Sequence, residues 1–153
     1  MARASFHLMQ IPTHAIIVHG GAGTISDGRY AKRLAGCKIA AEAGWEILCR
    51  ASTALDAVQR AVEALEDNPW FNDGTGAVRK ATGGIQLDAS LMDGTTLAAG
   101  AVATITRLKH PIRLARYILE DGRHVLLVGE AASNFARICG IAECSEQALI
   151  TSR

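Results

Sequence analysis

The run from Leu97 to Thr106 is rich in Ala, Val and Ile. If it forms a strand, the side chains on both faces of that strand are mostly apolar. A half-exposed strand alternates apolar and polar residues, so this run predicts a central strand covered on both faces. Its periodicity alone also fits a buried helix, but the flanking glycines favour the strand. The run therefore predicts one mixed unit in which helices cover a sheet.

Four other segments have the sequence features of helices. Ala31–Leu48 has apolar residues at helical spacing, and Thr53 with Asp56 three residues later forms a capping-box-like start. Pro111 suits the first position of a third helix, and Glu130–Cys139 predicts a fourth. The positions expected to be buried are Leu34, Cys37, Ala41, Trp45 and Leu48 in the first helix, Leu55, Val58, Val62 and Leu65 in the second, and Ile112, Ala115, Ile118 and Leu119 in the third.

Shorter apolar runs predict further strands. Ala15–Val18 is a β-branched run that stops at a glycine turn, which predicts a buried strand. Ala77–Ala81 and Ile85–Leu91 flank the turn Gly83–Gly84 and together predict a hairpin. Val125–Val128 is expected to form one more strand.

The composition is that of an ordinary globular domain. The 153 residues are 49% hydrophobic and 20% charged, with a formal net charge of +1. Lys and Arg are scattered through the chain, which disfavours nucleic acid and an anionic membrane surface as partners. The longest apolar runs fall short of the roughly 18 to 20 residues needed to cross a bilayer, so no membrane span is expected.

The first 14 residues and the cysteines bear on the compartment. Met1–His14 has neither a continuous apolar segment nor a small-residue cleavage site, so we expect a lead-in and not a signal peptide. The four cysteines form no CxxC pair and have no histidine at metal-ligand spacing, which favours reduced thiols in a cytoplasmic protein. They are Cys37, Cys49, Cys139 and Cys144. A disulfide between the last two is the less favoured alternative.

The segment His19–Gly23, with the sequence HGGAG, has three possible uses. Its spacing matches neither GxxxxGK[ST] nor GxGxxG, so a nucleotide site has little support. A tight turn between strand and helix is the simplest interpretation. A catalytic loop is the third, because residues without a Cβ let the backbone come close to a reacting centre.

The segment Leu65–Gly76 is dense in turn-forming residues, yet Trp70 and Phe71 stand side by side within it. This combination predicts an anchored loop. The simpler role is to end a helix and lead into a hairpin. A loop coiled around its own carbonyls could also hold a hard cation, since such ions accept oxygen ligands.

Other catalytic candidates are few. Asp88 and Asp93 bracket an apolar strand and could act as paired acids, but a hydrogen-bond anchor and an Asp-Gly turn are the favoured interpretations. No GxSxG motif occurs, and the histidines have no obvious Ser or Cys partner. They are His7, His14, His19, His110 and His124.

Taken together, these segments resemble the plant-type L-asparaginase and isoaspartyl peptidase family. The resemblance runs in a consistent order from about Ala15 to Arg153, which no single motif could establish. The matching stretches are IIVHGGAGTI (Ile16–Ile25), STALDAVQRAVEALEDNPWFNDGTGAV (Ser52–Val78), LDASLMDG (Leu87–Gly94), AGAVATITRLKHPIRLAR (Ala99–Arg116) and HVLLVGEAASNFA (His124–Ala136).

The resemblance implies an α+β fold, the αββα four-layer sandwich of N-terminal nucleophile hydrolases. It implies one precursor that cuts itself to expose a threonine at the start of a β-subunit, with this chain, residues 15–153, as the α-subunit part of the domain. That threonine acts as nucleophile and, through its own α-amine, as base, since a terminal amine has a pKa near 8. The implied substrates are L-asparagine and β-aspartyl dipeptides, and the implied assembly is (αβ)2.

The resemblance also assigns site residues. Asn72 matches an asparagine close to the nucleophile, and Gly20, Gly21 and Gly23 belong to a loop beside the same centre. The loop after the second helix matches one that wraps a sodium ion, or potassium, with main-chain carbonyls. By position these carbonyls come from Leu65, Glu66, Asn68, Phe71, Asp73 and Thr75. Asp73 departs from the small apolar residue usual there, which alters the charge of the loop.

The segment that would carry the catalytic threonine, similar to GTVGAVALD, does not occur in these 153 residues. Two stretches are similar to it, Gly74–Val78 and Gly94–Thr96, but both already belong to other motifs. The nucleophile is therefore expected on the β-subunit. The chain alone is expected to be inactive. A non-catalytic truncated relative with a binding or structural role is the alternative. A glycosylasparaginase or threonine endopeptidase of the same superfamily is a further one.

Overall fold

The computed structural model describes residues 14–152, which form a chain of mixed helices and strands. The predicted lead-in therefore lies almost wholly outside the described residues, as does His7. In chain order the elements are α1 (Asp27–Cys49), α2 (Ala54–Glu66), β1 (Leu87–Met92), β2 (Ala99–Ile105), α3 (Pro111–Asp121), β3 (Leu126–Val128), α4 (Gly129–Ile138) and a short 3-10 helix (Glu146–Leu149).

The sheet has β2 at its centre, antiparallel to β1 and parallel to β3. The predicted central strand is therefore confirmed, although it begins at Ala99. Its two faces differ, because Val102 and Gly100 are buried while Ala101 and Ala103 are only partly buried. The prediction that both faces are covered is thus wrong for the described part of the chain, where one face of β2 stays partly open.

The main core joins the buried face of the sheet to α3, α4 and the 3-10 helix. Gly100 lets α3 lie directly on β2, since a Cβ there would clash with the backbone of Ala115 and Leu119. Ile112, Ala115 and Ile118 are buried as predicted, and Leu119 packs at the edge. The central cluster consists of Ile85, Leu87, Val102, Ile105, Leu108, Leu114, Ile118, Ala132, Ala136 and Leu149.

Helix α1 forms as predicted but does not bury the predicted face. Leu34 is 59% exposed and Trp45 is 37% exposed, whereas the buried positions are Gly36, Ala40 and Gly44. These small residues let α1 approach α2 closely, and a Cβ on Gly44 would lie 2.8 Å from the Ala57 carbonyl oxygen. The remaining predicted positions are half-buried: Cys37, Ala41 and Leu48. Close packing of small residues therefore overrides the apolar periodicity.

Helix α2 begins at the predicted capping box. Thr53 Oγ1 accepts a hydrogen bond from the Asp56 amide at 3.1 Å, and the Asp56 carboxylate accepts one from the Thr53 amide at 3.2 Å. Its buried residues include Ala57 and Ala61, which face α1. The predicted positions Leu55, Val62 and Leu65 are half-buried, and Val58, predicted to be buried, is exposed.

Two predicted strands do not form. Ala15–Val18 has no regular secondary structure and pairs with no strand among residues 14–152, and Ile17 is 95% exposed. Ala77–Ala81 does not form the predicted strand because the Val78 amide donates to the Asn72 side chain instead of to a neighbouring strand. The turn at Gly83–Gly84 is present, closed by the Lys80 amide donating to the Gly84 carbonyl at 3.0 Å.

The start of α3 and the end of α4 lie where the sequence predicted them. Pro111 occupies the start of α3, and α4 stops before Gly140, which has a positive φ of 71°. The cysteines in the described residues are all free, as expected. None of the helices between residues 14 and 152 has the length and apolar character needed to span a bilayer.

Candidate functional site

One cavity of about 540 Å³ brings together the glycine segment and the loop after α2. We call it the site cavity. The predicted site residues that line it are Gly20, Gly21, Gly23, Leu65, Phe71, Asn72 and Asp73. Residues about 50 positions apart in the sequence thus face the same space, and the hypotheses of a catalytic loop and of an asparagine beside it concern a single place.

The ring of Phe71 holds the glycine segment against α1. Phe71 is 5% exposed, and a Cβ on Gly20 would lie 2.8 Å from one side of its ring. A Cβ on Gly36 of α1 would lie 2.5 Å from the other side of the ring. Gly20 is therefore required for space, while Gly21 is favoured by its positive φ of 106°. Gly23 lines the site cavity without either constraint.

Asn72 is held by its side-chain oxygen, which accepts a hydrogen bond from the Val78 amide at 2.7 Å. This bond fixes which end of the amide group is the oxygen, so the NH2 group is the end left to donate. Asn72 is exposed and lines the site cavity. Its amide can therefore donate a hydrogen bond to a group bound there.

The loop from residue 65 to residue 76 is coiled tightly against its own carbonyls. The Thr75 amide donates to the Glu66 carbonyl at 2.7 Å, and a Cβ on Gly74 would clash with the same carbonyl. A Cβ on Gly76 would lie 2.6 Å from the Pro69 carbonyl oxygen. The anchoring predicted from the aromatic pair is confirmed, since Phe71 is buried and the Trp70 carbonyl accepts from Arg33.

Glu66 is a fully buried carboxylate at the end of α2. One oxygen accepts from the Ile112 amide at 3.1 Å, at the start of α3, and the other lies 3.1 Å from His110 Nδ1. Burial raises the pKa of Glu66 to about 7, and the nearby Asp73 carboxylate contributes in the same direction. Sequence reasoning missed this link because Glu66 and His110 are 44 residues apart.

Asp73 is the acidic side chain that lines the site cavity. Its Oδ1 accepts from the Gly74 amide at 2.9 Å. Burial raises the pKa of Asp73 to about 6, and the charge of Asp88 adds to the effect. At neutral pH Asp73 is mostly ionised and Glu66 is only partly ionised, so the pair places some negative charge next to the loop carbonyls, a surrounding that favours a bound cation.

Asp88 and Asp93 have the structural roles that were favoured. Asp88 Oδ1 accepts from the Thr104 amide at 2.7 Å, where Thr104 has a positive φ of 55° beside an irregularity in the β1–β2 register. Asp93 closes a turn by accepting from the Thr95 amide at 2.9 Å. Neither carboxylate lines the site cavity.

Arg33 also lines the site cavity, and sequence reasoning missed it. It belongs to none of the motifs or apolar positions that the sequence singled out. Its Nε donates to the Trp70 carbonyl at 3.1 Å, which carries the side chain back toward the loop. Only the tertiary contact between α1 and this loop could have revealed the residue.

The side chains of the described residues provide no cluster of three or more His, Cys, Asp or Glu residues able to hold a metal ion. This finding concerns side chains alone. The predicted sodium ligands are main-chain carbonyls, so their role stays a prediction.

Comparison with known proteins gives a consistent match. The family model described as Asparaginase matches residues 12–153. A plant-type L-asparaginase from Thermococcus kodakarensis is 55% identical over 130 residues, 84% of this chain and 42% of that protein. Two proteins named isoaspartyl peptidase/L-asparaginase are also similar, one from Danio rerio, 45% identical over 136 residues, and one from Homo sapiens, 42% identical over 139 residues.

The two vertebrate alignments cover 89% and 90% of this chain but only 44% and 45% of the relatives. The chain therefore spans less than half the length of the curated relatives that it matches. The family model, which matches residues 12–153, covers the whole of the described fold, including both segments that form the site cavity.

Proposed function

Since the chain belongs to the asparaginase family matched above, we propose that it forms part of the active site of a hydrolase that cleaves the side-chain amide of L-asparagine and the isopeptide bond of β-aspartyl dipeptides. The observation that carries the proposal is the site cavity, where the glycine segment meets Asn72. Both come from stretches through which the chain resembles the family. The names of its relatives supply the two substrate classes.

The proposed reaction needs a nucleophile that this chain does not provide. A threonine at the amino terminus of a second segment, the β-subunit of the same precursor, attacks the amide carbonyl and uses its own amine as base. An acyl-enzyme forms as the amine or ammonia leaves, and water then releases aspartate. In this scheme Asn72 donates from its NH2 group toward the reacting centre, and the segment Gly20–Gly23 brings backbone close to it.

The partly open surfaces of the chain fit the proposed four-layer αββα sandwich. The face of β2 that carries Ala101 and Ala103 is only partly buried and could pack against a second sheet. Ala15–Val18 is an apolar segment without a partner strand among the described residues. A β-subunit that adds strands at these places would complete one domain, formed by residues 15–153 together with the β-subunit. We also propose an (αβ)2 assembly for the whole enzyme.

A sodium or potassium ion is proposed for the loop from residue 65 to residue 76. Gly74 and Gly76 let the loop coil close to the Glu66 and Pro69 carbonyls, and the half-buried Asp73 carboxylate, together with the partly ionised Glu66, adds negative charge. The proposed ligands are the carbonyls of Leu65, Glu66, Asn68, Phe71, Asp73 and Thr75. Several already accept one hydrogen bond, but a carbonyl oxygen has a second lone pair. The bound ion would stabilise the loop that carries Asn72.

The ion is tested by thermal unfolding in sodium, potassium or choline chloride at one ionic strength. Binding to the folded state alone raises the melting temperature in the salt of the preferred ion. Equal melting temperatures in all three salts would contradict the site.

The proposed function is tested at Asn72 in the assembled enzyme, meaning this chain together with its threonine-bearing segment. Asn72→Asp keeps an oxygen to accept from the Val78 amide but removes the donor, whereas Asn72→Ala removes both. We expect each to lower kcat by roughly tenfold to hundredfold. Asn134→Ala, on the exposed surface of α4, is the control and should leave kcat unchanged. Full activity in Asn72→Asp would refute the assigned role.

A cytoplasmic location is also proposed. Its support is the set of four free thiols, Cys37, Cys49, Cys139 and Cys144, which an oxidising compartment would not favour. Labelling of the native protein with a thiol reagent, before and after reduction, tests whether these thiols are free.

A further inference from the structure

Arg33 lies on α1 between two cavities that share the backbone of Gly20 and Gly21. One is the site cavity. The other has a volume of about 140 Å³ and includes the apolar residues Ile25 and Leu34 in its lining. The Arg33 guanidinium therefore lies beside the proposed reacting centre and also beside additional space, into which a substrate larger than a single amino acid would extend.

Within residues 14–152, the Arg33 side chain is anchored through its Nε alone. Its Nε donates to the Trp70 carbonyl at 3.1 Å, and the Lys32 ammonium lies 3.9 Å from the centre of the Trp70 ring, which helps to fix that residue. None of the ion pairs among the described side chains involves Arg33. Asp73, in the same cavity, accepts from the Gly74 amide. The terminal nitrogens of Arg33 thus have donors to offer to an anion.

We propose that Arg33 binds the terminal carboxylate of the amino acid that leaves when a β-aspartyl dipeptide is cleaved. The assignment rests on the proposed function and names a specificity-determining residue for it. A guanidinium presents paired N–H donors that match a carboxylate. Asparagine releases ammonia, which has no carboxylate, so the contact exists for one substrate class and not for the other.

Burial strengthens this discrimination. Arg33 is half-buried, so an ion pair with a bound carboxylate is less screened by water than one on an open surface. A dipeptide whose terminal carboxylate is converted to an amide has almost the same shape but loses the charge. The amide therefore isolates the proposed contact from all other contacts with the leaving residue.

The test measures kcat/KM of the assembled enzyme for three substrates: β-aspartyl-leucine, its C-terminal amide and L-asparagine. Arg33→Gln should lower kcat/KM for the dipeptide by about tenfold or more, as expected for the loss of a charge-assisted hydrogen bond. It should leave the amide and asparagine within about twofold. Arg29→Gln removes the same charge from an exposed position one turn earlier on α1 and should leave all three values unchanged.

The outcomes separate the assignment from the function on which it depends. Selective loss of dipeptide cleavage supports Arg33 as the carboxylate ligand. An equal fall for all three substrates indicates that Arg33 only supports the loop through Trp70, and unchanged values indicate no contact, so either result overturns the assignment while the proposed function stands. A wild-type enzyme that cleaves none of the three overturns both.

Discussion

Two regions of the chain, residues 14–50 and residues 85–150, both carry many apolar side chains. They differ in how far their largest apolar side chains are buried. In the later region Leu114 and Ile118 are at most 1% exposed, within a single continuous core. In the earlier region Ile17 is 95% exposed and Leu34 is 59% exposed. The later region contains the main core, although Ile138 there is 80% exposed, whereas the residues that α1 buries are all small.

The exposed apolar side chains of the earlier region are where we propose that another segment packs. Contiguous exposed apolar surface marks interaction sites in folded proteins. The glycine segment belongs to the earlier region, and the loop that carries Asn72 connects α2 to the packed sheet. The site cavity is therefore lined by the earlier region together with α2 and the loop that follows it, and by no residue of the later region.

The largest expected effect comes from a matched pair of leucines on two helices. Leu114→Ala should lower the free energy of unfolding by about 2 to 5 kcal/mol, because Leu114 is fully buried in the core. Leu34→Ala should change it by less than about 0.5 kcal/mol in the isolated chain. Urea unfolding followed by circular dichroism measures both. Similar losses in the two variants would remove the distinction between the regions.

The next effect concerns pH and the buried carboxylate that joins the loop to α3. The pKa of Glu66 in the folded chain is about 7, above its ordinary value of 4.5. Between these values the folded chain keeps a proton that the unfolded chain releases, so the free energy of unfolding falls as pH rises, by at most about 3 kcal/mol. Asp73, raised to about 6, adds a slope of the same sign.

Glu66→Gln provides the check on this pH dependence. It should reduce the slope between pH 5 and pH 7, leaving the part due to Asp73. Urea unfolding in sodium-free buffer at constant ionic strength gives the slope for each protein. A wild-type chain that becomes more stable as pH rises through this range would show that the Glu66 assignment is wrong.

The smallest effect tests the start of α2, which supports both regions. Asp56→Asn weakens the capping box with Thr53 and should cost about 1 kcal/mol. Hydrogen bonds from Thr53 and Ser52 lower the pKa of Asp56 to about 2, so the wild-type contribution persists until the pH falls below about 4. The difference between variant and wild type should shrink between pH 4 and pH 2. A difference that stays constant over that range would argue against the cap.

Local signals in the sequence predicted local structure well. The capping box at Thr53, Pro111 at the start of α3 and Gly140 after α4 are all where expected, because such signals act within one turn of a helix. Ala15–Val18 and Ala77–Ala81 were wrong as strands, since a strand also needs a partner. The buried face of α1 was wrong because close packing of small residues decided it.

The site could be predicted only in part for the same reason. Asn72 and the glycine segment came from the family resemblance, and the structure places both at the site cavity. Arg33 and the Glu66–His110 contact depend on how α1, α2 and α3 pack, which no local pattern contains. Residues that belong to a motif could be predicted from it, whereas residues brought together by tertiary contacts could not.

If these residues surround a reactive hydroxyl supplied by another segment, activity should require both segments. A complementation assay measures this requirement. The purified chain, a threonine-bearing β-segment and the two together are each assayed for release of aspartate from β-aspartyl-leucine and L-asparagine. We predict turnover only when both segments are present, and its decrease when the chain carries Asn72→Ala. Turnover by this chain alone, at the rate seen with both segments, would contradict the account.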